Sequence, residues 1–263
     1  MERIRDRVTV EFESKTARVA LSRPEKFNGL DLDMIQALVE AAKRVRKQAD
    51  VRAVILHGEG PAFCAGLDFA SATRQPARLL AGFLPGLKKD NLFQRMCLAW
   101  RDLPVPVIAV TQGYCFGGGL QLALGCDFRF AAPDCVFSIM EIQWGLLPDM
   151  GASVTLRGLV PVDVAMDLAM TGRQFDAREA LALGLISRIE PQPLTAAEKY
   201  AQDLGKHSPD AVSGVKRLFR ETRQASERRA LRRERWLQLK LLLGKNQREA
   251  MRAKMEKREP EFD

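Results

Sequence analysis

Glu141 closes an apolar run, Val136-Phe-Ser-Ile-Met140, and has Trp144 and Leu146 close behind it in the chain. A carboxyl group in apolar surroundings binds its proton more tightly than in water, which suits it to move protons near neutral pH. Between 22 and 24 residues upstream, Gly117, Gly118 and Gly119 stand in a row before the helical pattern of Leu120 to Gly125. A helix opened by glycines offers unpaired N–H groups and the positive end of its dipole to a developing oxyanion. No Lys follows in the GxxxxGK[ST] arrangement and no GxGxxG is present, so neither a P-loop nor a dinucleotide fingerprint is encoded there. A third segment, GEGPAFCAGLDFAS from Gly58 to Ser71, follows an apolar run, and its Ala62, Ala65 and Gly66 let backbone approach a ligand. Each feature has a plainer reading: a connecting turn at 58–71, close helix packing at the glycines, a surface position for Glu141. Asp149, eight residues beyond Glu141, is read first as the N-cap of a helix over Met150 to Leu159 and second as a further carboxylate of the site.

These residues need a frame. VTVEFE (8–13) and ARVALSR (17–23) flank a polar three-residue turn and predict a hairpin. From Asp33 to Lys47 the apolar residues recur at helical spacing, with acids first and bases last. RAVILHG (52–58), VPVIAV (105–110), DFRFA and CVFSIM predict further strands, alternating with glycine turns and helices, so the expected core is α/β. Gly82, Pro85 and Gly86 break the stretch 71–103. From about residue 194 the pattern is helix after helix, with Gly244 dividing the last two, which suggests a division into 1–193 and 194–263.

The 263 residues carry a formal charge of +8, and 46% are apolar, an ordinary globular composition. Between Lys216 and Arg258 there are 16 Lys or Arg against 5 Glu, so the basic surplus sits near the C-terminus. Nucleic-acid binding through this region is disfavoured because Phe219 and Trp236 are its only aromatic residues; solvated basic helix faces are the preferred reading. The charged N-terminus and the absence of a long apolar run predict a cytoplasmic protein with no membrane segment. Cys64, Cys97, Cys115, Cys126 and Cys135 lack CxxC spacing and read as reduced, buried residues, and two distant histidines, His57 and His207, predict no metal site.

Taken together, LSRPEKFNGLD, AFCAGLDF, GGGLQLALGCDFRFA and MEIQWGLLPDMG resemble, in order, the signature blocks of the crotonase (enoyl-CoA hydratase/isomerase) superfamily. TGRQFDAREALALGLISRI and the closing EAMRAKMEKREPEF extend the resemblance nearly end to end. It implies a crotonase-like spiral of ββα turns with a helical C-terminal region that forms trimers, often paired into hexamers. It also implies an acyl-CoA or enoyl-CoA substrate, with coenzyme A as part of the substrate and no prosthetic group. Carried onto this chain, the oxyanion hole consists of the N–H groups of Leu67 and Gly118, each worth about 3 kcal/mol in comparable sites. Coenzyme A is held around Lys26, Phe27, Gly29, Ala65, Leu67, Asp68, Gly117 and Gly118. Hydratases of the family use two glutamates, and the first of these positions is Gln121 here. A glutamine orients water but cannot take its proton. The resemblance therefore tilts toward an enoyl-CoA double-bond isomerase with Glu141 as acid/base. Asp149 resembles the partner carboxylate of dienoyl-CoA isomerases. Alternatives are a one-glutamate hydratase in which Gln121 places the water, a CoA-thioester hydrolase or decarboxylase, and, more distantly, an RNA-binding protein.

Overall fold

The computed structural model describes residues 1–84 and 89–262. Pro85 and Gly86, expected to break the 71–103 stretch, lie outside the described residues, which place α3 and α4 (below) on either side of them.

The first strands, β1 (Glu2–Ile4), β2 (Val8–Glu13) and β3 (Thr16–Leu21), form an antiparallel meander. Helix α1 (Leu32–Lys47) follows, started by the Asp31 side chain, which accepts a 2.7 Å hydrogen bond from the Met34 N–H. Then come β4 (Ala53–Gly58), α2 (Phe69–Ala72), α3 (Pro76–Phe83) and α4 (Leu92–Arg101). A central stretch holds β5 (Val107–Thr111), β6 (Tyr114–Phe116), α5 (Gly118–Leu124), β7 (Phe128–Ala131) and β8 (Val136–Ser138). After a 3-10 turn over Glu141–Trp144 stand α6 (Ala152–Thr155), α7 (Val162–Thr171), β9 (Gln174–Asp176), α8 (Ala177–Ala182) and β10 (Arg188–Ile189). Four helices close the chain: α9 (Pro193–Gly205), α10 (Pro209–Thr222), α11 (Glu227–Leu242) and α12 (Lys245–Glu256), with Gly244 between the last two.

A smaller sheet runs β6-β8-β9; the main sheet runs β1-β2-β3-β4-β5-β7-β10 and is parallel from β3 onward. Its central strands are buried on both faces, which is why they read as unbroken apolar runs rather than alternations. Val54, Leu56, Val107 and Ala109 enter the main core with α1 and α4, whereas Ala53, Ile55, Ile108 and Val110 turn to the other face, covered by Ala197 and Ala201 of α9. All five cysteines are buried and free. His57 lies inside β4, and burial pushes it below its usual pKa. Among the described residues no helix is long and apolar enough to cross a membrane.

Two expectations fail locally. The helix predicted over Met150 to Leu159 shrinks to the single turn α6, because Gly151 (φ 102°) and Gly158 (φ 148°) adopt backbone conformations that interrupt it. Gly151 rather than Asp149 takes the N-cap, so Asp149 is not a capping residue.

A buried ion pair fastens α10 to the sheet. Lys216 Nζ lies 2.6 Å from Asp127 Oδ2 and donates to the Val105 carbonyl, while the same carboxylate oxygen accepts the Val107 N–H. Burial pushes Asp127 up and Lys216 down from their ordinary pKa values. Removing one partner strands the other charge. Lys216→Ala should therefore cost about 3 kcal/mol of stability or more in urea unfolding, and Lys216→Met combined with Asp127→Asn should recover most of it. Equal stability of Lys216→Ala and wild type would mean the pair holds nothing.

Candidate active site

Two candidate N–H groups stand on neighbouring segments. Leu30 pairs with the 66–68 backbone as a short parallel bridge: its N–H donates to the Gly66 carbonyl (2.8 Å) and its carbonyl accepts the Asp68 N–H (3.0 Å). That register turns the Leu67 N–H away from Leu30, and it has no partner among the described residues. Gly66, at φ 90°, packs against Phe116, and a Cβ there would come within 3.0 Å of the Phe116 carbonyl. Gly118 opens α5, where first-turn N–H groups have no intrahelical acceptor. Ahead of it Gly117 (φ 50°, ψ −120°) donates to the Ser138 carbonyl, a conformation closed to other residues.

The same glycine brings in the acid. A Cβ on Gly117 would lie 3.4 Å from Glu141 Oε1, so the carboxylate rests against the start of α5. Gln121, on the first turn of that helix and 1% exposed, donates from Nε2 to Glu141 Oε1 at 2.6 Å. Its own Oε1 accepts the Met150 N–H (2.8 Å) and the Ala152 N–H (3.3 Å). Glu141 Oε2 is buried without a partner among the described residues. Burial raises the Glu141 pKa above the ordinary carboxylate value and the nearby Asp149 charge adds to this, against the lowering effect of the Gln121 hydrogen bond. Asp149 is raised as well, by burial. Glu141, Gln121, Asp149, Leu67 and Gly118, separated by up to 82 positions in the chain, are thus gathered around one helix end.

The segments expected to hold coenzyme A lie side by side. The Ala65 N–H donates to the Phe27 carbonyl (2.9 Å), and a Cβ on Gly29 would touch Asp68 at 3.6 Å. Lys26 and Phe27 are exposed at this edge. The Asp68 carboxylate is occupied by Arg23 Nη1 (2.9 Å) and the Ser71 hydroxyl (2.7 Å), which lower its pKa against the opposing effect of burial. Reading the sequence missed this clamp. Arg23 also donates to the Gly29 carbonyl, and buried Asn28, left-handed at φ 54°, receives the Arg23 N–H on Oδ1 and donates from Nδ2 to the Glu59 and Ala62 carbonyls. An asparagine after the turn formers Arg23-Pro24 was the available signal, since Asn tolerates that backbone region better than most residues. Phe69 and Trp144 stack at 4.2 Å between ring centres, joining the Leu67 loop to the Glu141 turn. A separate cavity of about 1300 Å³, bordered by Leu124, Asp127, Thr155, Lys216 and Phe219, contains neither Glu141 nor Gly118. Among the described residues no three His, Cys, Asp or Glu side chains converge as metal ligands.

A ββα spiral with free N–H groups beside a buried carboxyl is the plan of the crotonase fold. Comparison with known proteins agrees: residues 11–263 match the family model for Enoyl-CoA hydratase/isomerase, and the chain belongs to that family. It is 35% identical over 255 residues to the enoyl-CoA hydratase EchA19 of Mycobacterium tuberculosis, covering 96% of this chain and 95% of that one. It is 30% identical to the peroxisomal Delta(3,5)-Delta(2,4)-dienoyl-CoA isomerase of Arabidopsis thaliana, covering 95% and 93%. The crystal structure of an enoyl-CoA hydratase from Bacillus anthracis superposes with a TM-score of 0.88 at 27% identity, covering 97% and 98%.

Proposed function

We propose that this enzyme moves a double bond along the acyl chain of an enoyl-CoA thioester, with Glu141 as the acid/base and Asp149 as a second proton-carrying group. The observation that carries this reading is the state of Gln121. Its oxygen is bound to two backbone N–H groups and its amide nitrogen serves Glu141, so position 121 neither accepts a proton nor offers water an acceptor. In the proposed reaction Glu141 removes a proton from C2 or C4, and the electron pair delocalises onto the thioester oxygen. The Leu67 and Gly118 N–H groups stabilise that charge. Reprotonation at the other carbon, by Glu141 or by Asp149, completes the shift with no net gain or loss of atoms. Buried carboxyls of raised pKa suit both halves of this exchange. Coenzyme A fits along the Lys26, Phe27, Gly29, Ala65 and Asp68 edge.

Hydration is the second reading, supported by the relative named as a hydratase. In it the Glu141 and Asp149 carboxyls hold the water, and Gln121 contributes only its remaining N–H. The test is to follow 3-enoyl-CoA and 2-enoyl-CoA separately, by absorbance and product mass. Migration at least tenfold faster than hydration is expected if one carboxyl pair serves proton shuttling alone. Hydration as the faster reaction would transfer the conclusion to the second reading.

Assembly into trimers or paired trimers is part of the proposal. Val162, Met166 and Met170 form an exposed apolar stripe on α7, and Val215 and Phe219 form another on α10. Apolar surface of this kind is usually covered by a partner.

A further inference from the structure

Cys64 sits between the two segments that carry the free N–H groups. Its N–H donates to the Tyr114 carbonyl (3.0 Å) and its carbonyl accepts the Phe116 N–H (3.0 Å), lacing the 62–67 loop to β6 just before the glycines. On one side, three residues along the loop, is Leu67. On the other, the first turn of α5 rests directly on Cys64: a Cβ built on Gly119 would lie 2.6 Å from the Cys64 carbonyl oxygen, 2.7 Å from its Cβ and 2.9 Å from its sulfur. No side chain would fit at position 119, so the Gly119 backbone lies directly over Cys64. Gly119 follows Gly118, and Gly66, whose backbone acts on the Cys64 thiol, precedes Leu67. The side chain thus touches the neighbour of each donor. It is fully buried, and burial pushes the thiol up to about 12, so it stays neutral and works through its volume.

We propose that Cys64 is a positioning residue, the spacer that sets the separation between the Leu67 and Gly118 N–H groups. This rests on the reading of those groups as an oxyanion hole. Donors of this kind act only when they lie at hydrogen-bond distance from the oxygen that becomes charged. Loss of the sulfur lets the first turn of α5 settle toward the loop, changing that separation while the Glu141 carboxyl itself is kept.

The test uses acetoacetyl-CoA, whose enolate has its own ultraviolet band, bound to wild type, Cys64→Ala and Cys64→Ser. Thermal unfolding is measured alongside. Wild type should bind the ligand substantially as enolate. Cys64→Ala should show an enolisation equilibrium about tenfold weaker with kcat reduced in parallel and KM within about twofold, since an oxyanion contact acts on the transition state. Cys64→Ser, close in size, should restore most of the loss, and the pH profile set by Glu141 should stay in place in both. A Cys64→Ala protein that melts earlier yet keeps the wild-type enolate fraction and kcat would overturn the spacer role and leave the oxyanion hole standing. No enolate band in wild type would instead remove the oxyanion hole, and the spacer with it.

Discussion

Enzyme carrying Glu141→Gln should turn over about 10³-fold more slowly than wild type, with KM changed little, because the group that transfers the proton is gone while its shape is kept. The amide retains an oxygen to accept from Gln121, so the 2.6 Å contact survives the exchange. The same variant should unfold less readily, and the sign follows from the proton balance. Burial raises the folded-state pKa of Glu141, so between the ordinary carboxylate value and the raised one the folded protein binds more protons than the unfolded chain. Wild-type stability contributed by this group is therefore full below that window and is lost as pH rises through it. Glutamine has no such titration, so the gap between variant and wild type should open across the window and stay constant above it. Denaturant unfolding at several pH values measures the gap, and kcat/KM on the same samples measures the loss of proton transfer. In wild type kcat/KM should rise with pH through the same window, since the ionised form is the base. A Glu141→Gln enzyme with kcat within a few fold of wild type would end the acid/base assignment.

The frame of this site could be read from residue order because its physics is local. Short β-type runs, the helical spacing of 33–47 and the run of glycines each leave a pattern within about fifteen residues, and the structure places β2, α1, β4, β5 and α5 close to where those patterns fall. What escaped depends on contacts between segments far apart in the chain. Nothing near Asp149 announces that Gly151 and Gly158 would stop the helix after one turn, since either glycine could equally have packed inside it. Nothing near Arg23 shows that its guanidinium would hold Asp68, forty-five positions away. Gln121 was legible as a departure from a two-carboxylate pattern. Its bonds to the Met150 and Ala152 N–H groups were not, because they join α5 to a turn whose path only the fold determines.

Those bonds bear on what a single change would do. In Gln121→Glu the oxygen that now accepts two backbone N–H groups would remain as half of a carboxylate, well supplied with donors. The other half would replace an amide nitrogen 2.6 Å from Glu141 Oε1 and turn a hydrogen bond into a contact between two acids. Two carboxyls that close share one proton, and the pair titrates in two steps spread apart in pH. At neutral pH one member would be ionised and the other protonated, a base and an acid within reach of one water. The ratio of hydration to double-bond migration should accordingly rise by at least about tenfold, less than the roughly 10²-fold or more that an optimally placed general acid/base contributes. The pH profile for hydration should become bell-shaped, while migration, which needs Glu141 free of its proton, should shift to higher pH. Product mass distinguishes the two reactions in one assay. A ratio that does not move would assign the choice of reaction to Asp149, and Asp149→Asn in the Gln121→Glu background would then be the variant that changes it.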